Sequence, residues 1–189
     1  MRIIAGSLRG RTLGPVAKGV RPTTDRVRES LFAVLGPIEG MRVLDLCAGT
    51  GALGIEACSR GAAGVVWVEQ SRPVARALAE RLARLGLAGD SSLRVVIDDA
   101  RHALRRLTGE GVAPFDLVFL DPPYAARDRD AILAELFASE LLGADATVVV
   151  EGSRRHPLPA VAGARVVDER RYGDTVVTWL ARAGSDGGG

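Results

Sequence analysis

The sequence contains few of the residues that build metal sites or disulfide frameworks, and it has no long apolar run. Only two cysteines and two histidines occur in 189 residues, and Cys47, Cys58, His102 and His156 show no metal-ligand spacing. No apolar run reaches the roughly 18 residues of a membrane-spanning helix, and the basic N-terminus lacks the apolar core of a signal peptide. We therefore expect a cytoplasmic protein with reduced cysteines, no metal and no membrane partner.

Positive charge is concentrated in the first thirty residues, although the net charge of the whole chain is only +2. Seven basic and two acidic residues give this segment a local charge of +5. A basic surface favours contact with nucleic-acid phosphates, but arginines of this kind can equally serve only to keep a surface soluble. The candidate nucleic-acid-binding residues are Arg2, Arg9, Arg11, Arg21, Arg26 and Arg28.

Residues 1–36 are predicted to form a β-hairpin followed by a helix. Two part-apolar runs, at residues 2–6 and 10–13, indicate the hairpin. Thr24 is a suitable N-cap for the helix, and Gly36-Pro37 should end it. We expect this segment to be a nucleic-acid-binding extension, and we expect the sheet that follows to fold without residues 1–19.

Beyond residue 37, apolar strands alternate with helices in a pattern typical of a parallel sheet covered on both faces. Strands are predicted at residues 43–46, 65–69, 93–97, 116–120 and 146–151, and helices near 53–59, 73–85, 100–107 and 130–142. Residues 164–169 and 175–180 should close the sheet as a terminal hairpin. The prediction is an α/β, Rossmann-like domain over residues 37–184 with a mostly parallel seven-stranded sheet, followed by a disordered tail at 185–189.

The loop after the first strand carries a glycine pattern typical of nucleotide-binding turns. Gly49, Gly51 and Gly54 fit G-x-G-x-x-G, and Glu69 ends the next strand, where it could bind ribose hydroxyls. A dinucleotide-binding enzyme is one interpretation. However, Asp45 at the strand end would repel a pyrophosphate, whereas it would attract the ammonium and sulfonium of S-adenosylmethionine. This pattern therefore favours a methyltransferase.

Two aspartates end the third strand, where the adenine of such a cofactor would lie. Asp99 is preferred over Asp98 as acceptor for the adenine amino group, although acids at this position are also ordinary helix caps. The candidate cofactor-binding residues are Asp45, Ala48, Gly49, Thr50, Gly51, Glu69, Gln70, Asp99 and Ala100.

The motif Asp121-Pro122-Pro123-Tyr124 directly follows the fourth strand. Consecutive prolines lack N–H groups, which leaves backbone carbonyls free to accept hydrogen bonds. A carboxylate and a carbonyl that accept the two hydrogens of a base amino group would direct its nitrogen lone pair at a methyl donor, while an aromatic ring stacks on the base. The candidate catalytic residues are Asp121, Pro122 and Tyr124. The alternative is a strand that ends at proline beside a buried tyrosine.

Together these motifs resemble the RsmD family of bacterial 16S rRNA (guanine-N2)-methyltransferases. The resemblance rests on residues 2–6, 9–11, 21–32, 44–62, 121–124 and 172–175, of which 21–32 is the family-specific stretch. It implies the class I methyltransferase fold, S-adenosylmethionine as donor, and methylation of one guanine, of the position-966 type, in the rRNA of a small-subunit particle. Tyr124, Cys47 and Thr50 depart from residues that are more usual in the family.

Three alternatives stay open from the residues alone. The Asp-Pro-Pro-Tyr motif also occurs in DNA adenine-N6 and cytosine-N4 methyltransferases, although 189 residues leave little room for a separate target-recognition domain. An NAD-dependent oxidoreductase is disfavoured by Asp45, and a non-catalytic nucleic-acid-binding module leaves Asp121 unexplained. We expect a monomer that acts on the small ribosomal subunit or its assembly intermediate.

Overall fold

The structure is a computed structural model that describes residues 1–14, 24–122 and 126–184. Its helices are α1 Asp25–Leu35, α2 Ala52–Ser59, α3 Arg72–Arg84, α4 Ala100–Gly109 and α5 Ala126–Ala138. Its strands are β1 Arg42–Leu46, β2 Gly64–Val68, β3 Leu93–Val96, β4 Phe115–Leu120, β5 Leu142–Ser153, β6 Ala164–Tyr172 and β7 Thr175–Arg182. The predicted contacts at Arg21 and Tyr124 and the predicted tail at 185–189 lie outside the described residues.

The seven strands form one sheet in the order β3-β2-β1-β4-β5-β7-β6. The first five strands in this order pair in parallel, whereas β7 is antiparallel to both β5 and β6. The predicted mostly parallel seven-stranded sheet is therefore confirmed. The strand order reverses between β1 and β4, and in open α/β sheets ligands bind beyond the carboxyl ends of the strands at such a point.

Successive residues of the central strands point to opposite faces of the sheet, and both faces are covered by helices. Leu44 of β1 packs in one apolar cluster with residues of α4 and α5, and Val43 packs in the other with residues of α1, α2 and α3. Because both faces are buried, β1, β2 and β4 are apolar runs without polar alternation. Among the described residues, no helix is long and apolar enough to cross a membrane.

The last helix differs from the prediction at both ends. We expected it at residues 130–142, but α5 spans Ala126–Ala138. Ser139 ends it, since the Ser139 hydroxyl donates to the Leu136 carbonyl and accepts from the Leu141 amide. Leu142 then begins β5 and pairs with Phe115. The buried leucines after Ser139 therefore belong to the entry of a strand, although they continue the apolar spacing of a helix.

Residues 1–14, which we call the arm, pair less extensively than the predicted hairpin. Arg2 and Thr12 form an isolated antiparallel bridge, with the Ile3 amide donating to the Arg11 carbonyl at 3.0 Å. The predicted helix follows at α1, where the Thr24 hydroxyl accepts from the Val27 amide as an N-cap.

The arm is part of the domain core. Ile3 and Leu13 are buried in the same apolar cluster as Val43 and Trp67 of the sheet. The Glu56 carboxylate, which is 0% exposed, accepts hydrogen bonds from the backbone amides of Ile4 at 2.8 Å and Ala5 at 3.0 Å. Because the arm satisfies a buried charge of α2, we expect the sheet to depend on it, contrary to the expectation from the sequence.

Candidate active site

Four predicted carboxylates converge at the carboxyl edge of the sheet, around the loop after β1. Burial, together with the negative charges of Glu69, Asp121, Asp45 and Asp99, raises the pKa of the Cys47 thiol to about 12. Glu69 and Asp121 directly follow β2 and β4, Asp45 is the second-to-last residue of β1, and Asp99 lies three residues after β3. The fold thus assembles acids that are up to 76 residues apart into one electronegative site.

The loop between β1 and α2 adopts a conformation that requires its glycines. Gly49 and Gly51 have φ angles of 53° and 72°, in the left-handed region that a side chain rarely allows. A Cβ at Gly51 would also overlap the side chain of Leu78. Cys47 has a φ angle of 60°, so a non-glycine residue shares this conformation directly at the strand end. The turn brings backbone amides close to the carboxylates.

Asp45 is 2% exposed, and its carboxylate accepts a hydrogen bond from the Gly54 amide at 3.0 Å. Burial raises its pKa from 3.8 to about 7; the Gly54 hydrogen bond opposes this shift and the Glu69 charge adds to it. A cationic group bound beside Asp45 would offset the cost of keeping this carboxylate charged, whereas a pyrophosphate would increase it. The site therefore fits the ammonium and sulfonium of S-adenosylmethionine.

Glu69 is held in place by two backbone amides. One carboxylate oxygen accepts from the Gly49 amide at 2.9 Å, and the other accepts from the Ser71 amide at 2.8 Å. Each oxygen retains a second lone pair that can accept from a ribose hydroxyl. Gln70 beside it is exposed. Glu69 thus connects the carboxyl ends of β1 and β2. This is the position that an acid needs in order to bind a ribose lying between these two strand ends.

Both aspartates after β3 make local hydrogen bonds. The Asp99 carboxylate caps α4 by accepting from the Arg101 and His102 amides, and Asp98 accepts from the Asp99 amide. Asp99 therefore serves as the helix cap that the sequence offered as an alternative, and its second oxygen can still bind an adenine amino group. Ala100, the next candidate, is buried in the first turn of α4.

Asp121 and Pro122 lie half-buried beyond the end of β4. Leu120 is paired with Leu46 of β1 on one side and with Val150 of β5 on the other, so Asp121 lies at the centre of the carboxyl edge. This position places the predicted catalytic acid beside the loop that carries the predicted cofactor residues.

Arg81, which the sequence analysis missed, ties the glycine loop to the arm. Its guanidinium donates to the Thr50 carbonyl at 2.7 Å and to the Leu13 carbonyl. Arg81 is 3% exposed, on the face of α3 that also carries Leu78 and Leu82. The signal available in the sequence was an arginine at a position of α3 where the helical spacing predicts an apolar residue. Through it, the arm supports the backbone of the cofactor loop.

The candidate nucleic-acid contacts are spread over different parts of the molecule. Arg28 is 0% exposed and donates to Asp25 and to the Arg2 carbonyl, so the prediction of a phosphate contact there is wrong for this structure. The Arg11 guanidinium caps α3 by donating to the Leu85 and Arg84 carbonyls.

The tip of the arm lies at the amino edge of the sheet, opposite the site. The Ser7 and Leu8 amides donate to Ser59 at the end of α2, a helix that begins at the carboxyl edge and runs away from it. Arg9 is exposed at this tip. Arg2 and Arg26 are also exposed, and Arg26, in the first turn of α1, remains a candidate contact.

Comparison with known proteins identifies the family. The family model described as Conserved hypothetical protein 95 matches residues 1–181. Ribosomal RNA small subunit methyltransferase D of Escherichia coli K12 is 41% identical over 85% of this chain and 79% of its own length. YlbH of Bacillus subtilis is 38% identical over 97% of this chain and 100% of its own length.

Solved structures agree with the sequence comparison. The Escherichia coli protein yhhF superposes with a TM-score of 0.83 at 36% identity, over 96% of this chain and 97% of that one. SMU.776, which was solved in complex with SAH, shares the fold with a TM-score of 0.69 at 12% identity, over 84% of this chain and 50% of that one. The chain therefore belongs to the RsmD family of S-adenosylmethionine-dependent methyltransferases.

Proposed function

We propose that this protein methylates the exocyclic N2 amino group of one guanine in 16S rRNA, within the small ribosomal subunit or its assembly intermediate. The observation that supports this best is the position of Asp121-Pro122 at the switch point, next to the electronegative cofactor loop. Relatives of 41% and 37% identity are named ribosomal RNA small subunit methyltransferase D. The choice of guanine rests on the family resemblance.

The cofactor, when bound, supplies a methyl group on a positively charged sulfur. Asp45 would face its cationic part, Glu69 its ribose, and Asp99 with the Ala100 amide its adenine. Because Gly49 and Gly51 lack side chains, the backbone of the loop can approach the methionine portion closely. These residues bind and orient the donor, and its acceptor lies on the Asp121 side.

At the acceptor, the Asp121 carboxylate and the Pro122 carbonyl would accept the two hydrogens of the guanine amino group. These hydrogen bonds favour a pyramidal nitrogen with its lone pair directed at the methyl carbon. The amino group becomes acidic only as the N–C bond forms, so a strong base is not required before that step. Tyr124 would stack on a base that has been turned out of its loop.

The proposal is tested with labelled S-adenosylmethionine and small subunits from cells that lack this modification. We expect one methylated guanine per particle, on N2, and less methylation of protein-free 16S rRNA. Methylation of adenine-N6 or cytosine-N4 in DNA supplied as an alternative substrate, without methylation of the particle, would refute the proposal in favour of a DNA methyltransferase. Tight NAD binding without S-adenosylmethionine binding would refute methyl transfer altogether.

Asp45→Asn should weaken cofactor binding and stabilise the cofactor-free protein. Loss of a charged partner costs about 1.5–3 kcal/mol, which is roughly a 10- to 100-fold rise in Kd. Because the pKa of Asp45 is about 7 in the folded protein and 3.8 ordinarily, its charge destabilises the fold increasingly as pH rises from 4 to above 7. The rise in Tm on substitution should therefore be larger at pH 8 than at pH 5.

Calorimetry and thermal denaturation measure these two effects. Asp145→Asn, on an exposed part of β5, is the matched control and should change neither Kd nor Tm. An Asp45→Asn protein that binds S-adenosylmethionine as tightly as the parent would show that Asp45 does not contact the cofactor.

A further inference from the structure

A cavity of about 250 Å³ lies on the α5 side of the sheet, next to the carboxyl edge that carries Asp121. Its floor consists of Val150 and Gly152 of β5 and Val176 and Thr178 of β7. The register pairs Val150 with Thr178 and Gly152 with Val176, so these four side-chain positions share one face. Nothing in the proposed methyl transfer uses this cavity.

One wall of the cavity is fixed by a buried arginine. Arg129 of α5 is 4% exposed and donates to the His156 and Pro157 carbonyls at 3.0 Å each, and it pairs with Asp130 at 2.9 Å. These bonds tie α5 to residues 154–158, the segment that follows β5. The segment is also anchored by the Arg154 amide, which donates to the Asp174 carbonyl at 3.0 Å. The cavity is therefore preformed.

The rim carries positive charge and exposed arginine side chains. Arg154 and Arg171 both line the cavity. Arg171 pairs at 3.1 Å with Glu169, which also lines the cavity, and the two side chains are 68% and 40% exposed, respectively. Within residues 1–14, 24–122 and 126–184, neither Arg154 nor the adjacent Arg155 takes part in an ion pair. Arg154 is therefore available to an anion, and Arg171 can bind one by leaving its exposed pair with Glu169, whereas Arg129 is occupied by its own carbonyl partners.

The cavity is one strand away from the catalytic acid. Val150 on its floor pairs with Leu120, the residue that precedes Asp121. Adjacent strands are about 4.8 Å apart, so β7, two strands from β4, lies roughly 10 Å from it. A strand of RNA with one base at Asp121 can therefore place a neighbouring nucleotide here.

We propose that this cavity receives a nucleotide adjacent to the methylated guanine, with its phosphate at Arg154 and Arg171. The base would lie against Val150 and Val176, and the Thr178 hydroxyl is available for a hydrogen bond. Single-stranded RNA is commonly recognised by bases splayed into such pockets. The inference rests on the proposed function, and it places substrate contacts at the carboxyl edge, whereas Arg9 and Arg11 of the arm lie at the opposite edge.

The charge part is tested with Arg154→Gln/Arg171→Gln. We expect KM for the small-subunit particle to rise about tenfold or more, with kcat and the Kd of S-adenosylmethionine unchanged. The slope of log affinity against log salt should fall by about 0.7–0.9 for each lost phosphate contact. The matched control is Arg94→Gln/Arg106→Gln, which removes two exposed arginines that pair with Glu110 at the amino edge and should behave as the parent.

The cavity part is tested without a change in charge. Val176→Phe should fill the cavity and raise KM about tenfold; Thr178→Val, which only removes the hydroxyl, provides a milder variant if the phenylalanine disturbs folding. If Val176→Phe and Thr178→Val both leave KM unchanged while the double arginine variant raises it, the nucleotide pocket is overturned in favour of a surface phosphate contact. Unchanged KM in all variants, with binding of guanosine monophosphate alone, would assign the cavity to a free nucleotide. If the parent protein methylates no particle, the proposed function itself fails.

Discussion

Deletion of residues 1–14 is expected to abolish stable folding, although they precede the first strand of the sheet. The deletion removes the buried side chains of Ile3 and Leu13, whose burial contributes about 1.5–3 kcal/mol each. It also removes both backbone amides bound to Glu56 and the carbonyl groups bound to Arg28 and Arg81. Each of these buried charges keeps another partner but loses at least one hydrogen bond, which costs about 1–3 kcal/mol each, against a typical total stability of 5–15 kcal/mol.

Thermal denaturation, monitored by circular dichroism, measures this effect. A control variant separates the loss of the arm's charge from the loss of its packing. Arg2→Ser/Arg9→Ser removes two exposed charges but keeps every backbone group of the arm, so it should melt within a few degrees of the parent. Gly6→Ala adds only one methyl group but should displace the arm. The φ of Gly6 is 83°, and a Cβ at this position would overlap the Ser59 carbonyl. A shortened protein that melts cooperatively near the parent Tm and binds cofactor would show that the arm is dispensable.

Asp121→Ala is expected to lower kcat by about a hundredfold or more while cofactor affinity stays nearly intact. Its hydrogen bond to the guanine amino group should strengthen as positive charge develops on the nitrogen, so the loss falls mainly on the transition state. Single-turnover methylation of the particle, together with calorimetry for the cofactor, distinguishes this from a binding defect.

Asp128→Ala is the matched control for Asp121→Ala, because Asp128 is an exposed acid in the first turn of α5. It should keep normal kcat. Tyr124→Phe should be mild and Tyr124→Ala severe, since the ring face stacks on the base. Normal turnover by Asp121→Ala would mean that another group holds the amino nitrogen.

The sheet could be predicted from sequence because the residues that identify each strand lie close together in the chain. A largely apolar run such as residues 43–46, which contains Asp45 and is followed by glycines, identifies a strand, a turn and a ligand-binding edge within about ten residues. The position of the site at the carboxyl edge then follows from the general behaviour of parallel sheets. The end of α5 was misplaced because Ser139 stops the helix through its hydroxyl, without glycine or proline.

The roles of the buried charges could not be predicted in the same way. Arg28 and Arg9 look alike as basic residues of the N-terminal segment, but one is buried against the Arg2 carbonyl and the other is exposed. Glu56 on α2 was missed because its partners at Ile4 and Ala5 are amides, which have no sequence signature. Such pairings depend on tertiary contacts, and the sequence shows only the charge.

The distance along the chain between the arm and its partners constrains the order of folding during synthesis. The Ile4 amide binds Glu56, 52 residues later, and the Leu13 carbonyl binds Arg81, 68 residues later. The arm leaves the ribosome before α2 and α3, so it has no place to dock until these helices have followed it. Closing loops of this length costs entropy before any contact stabilises them, which slows folding. The arm thus completes the native structure only after the later helices that hold it have formed.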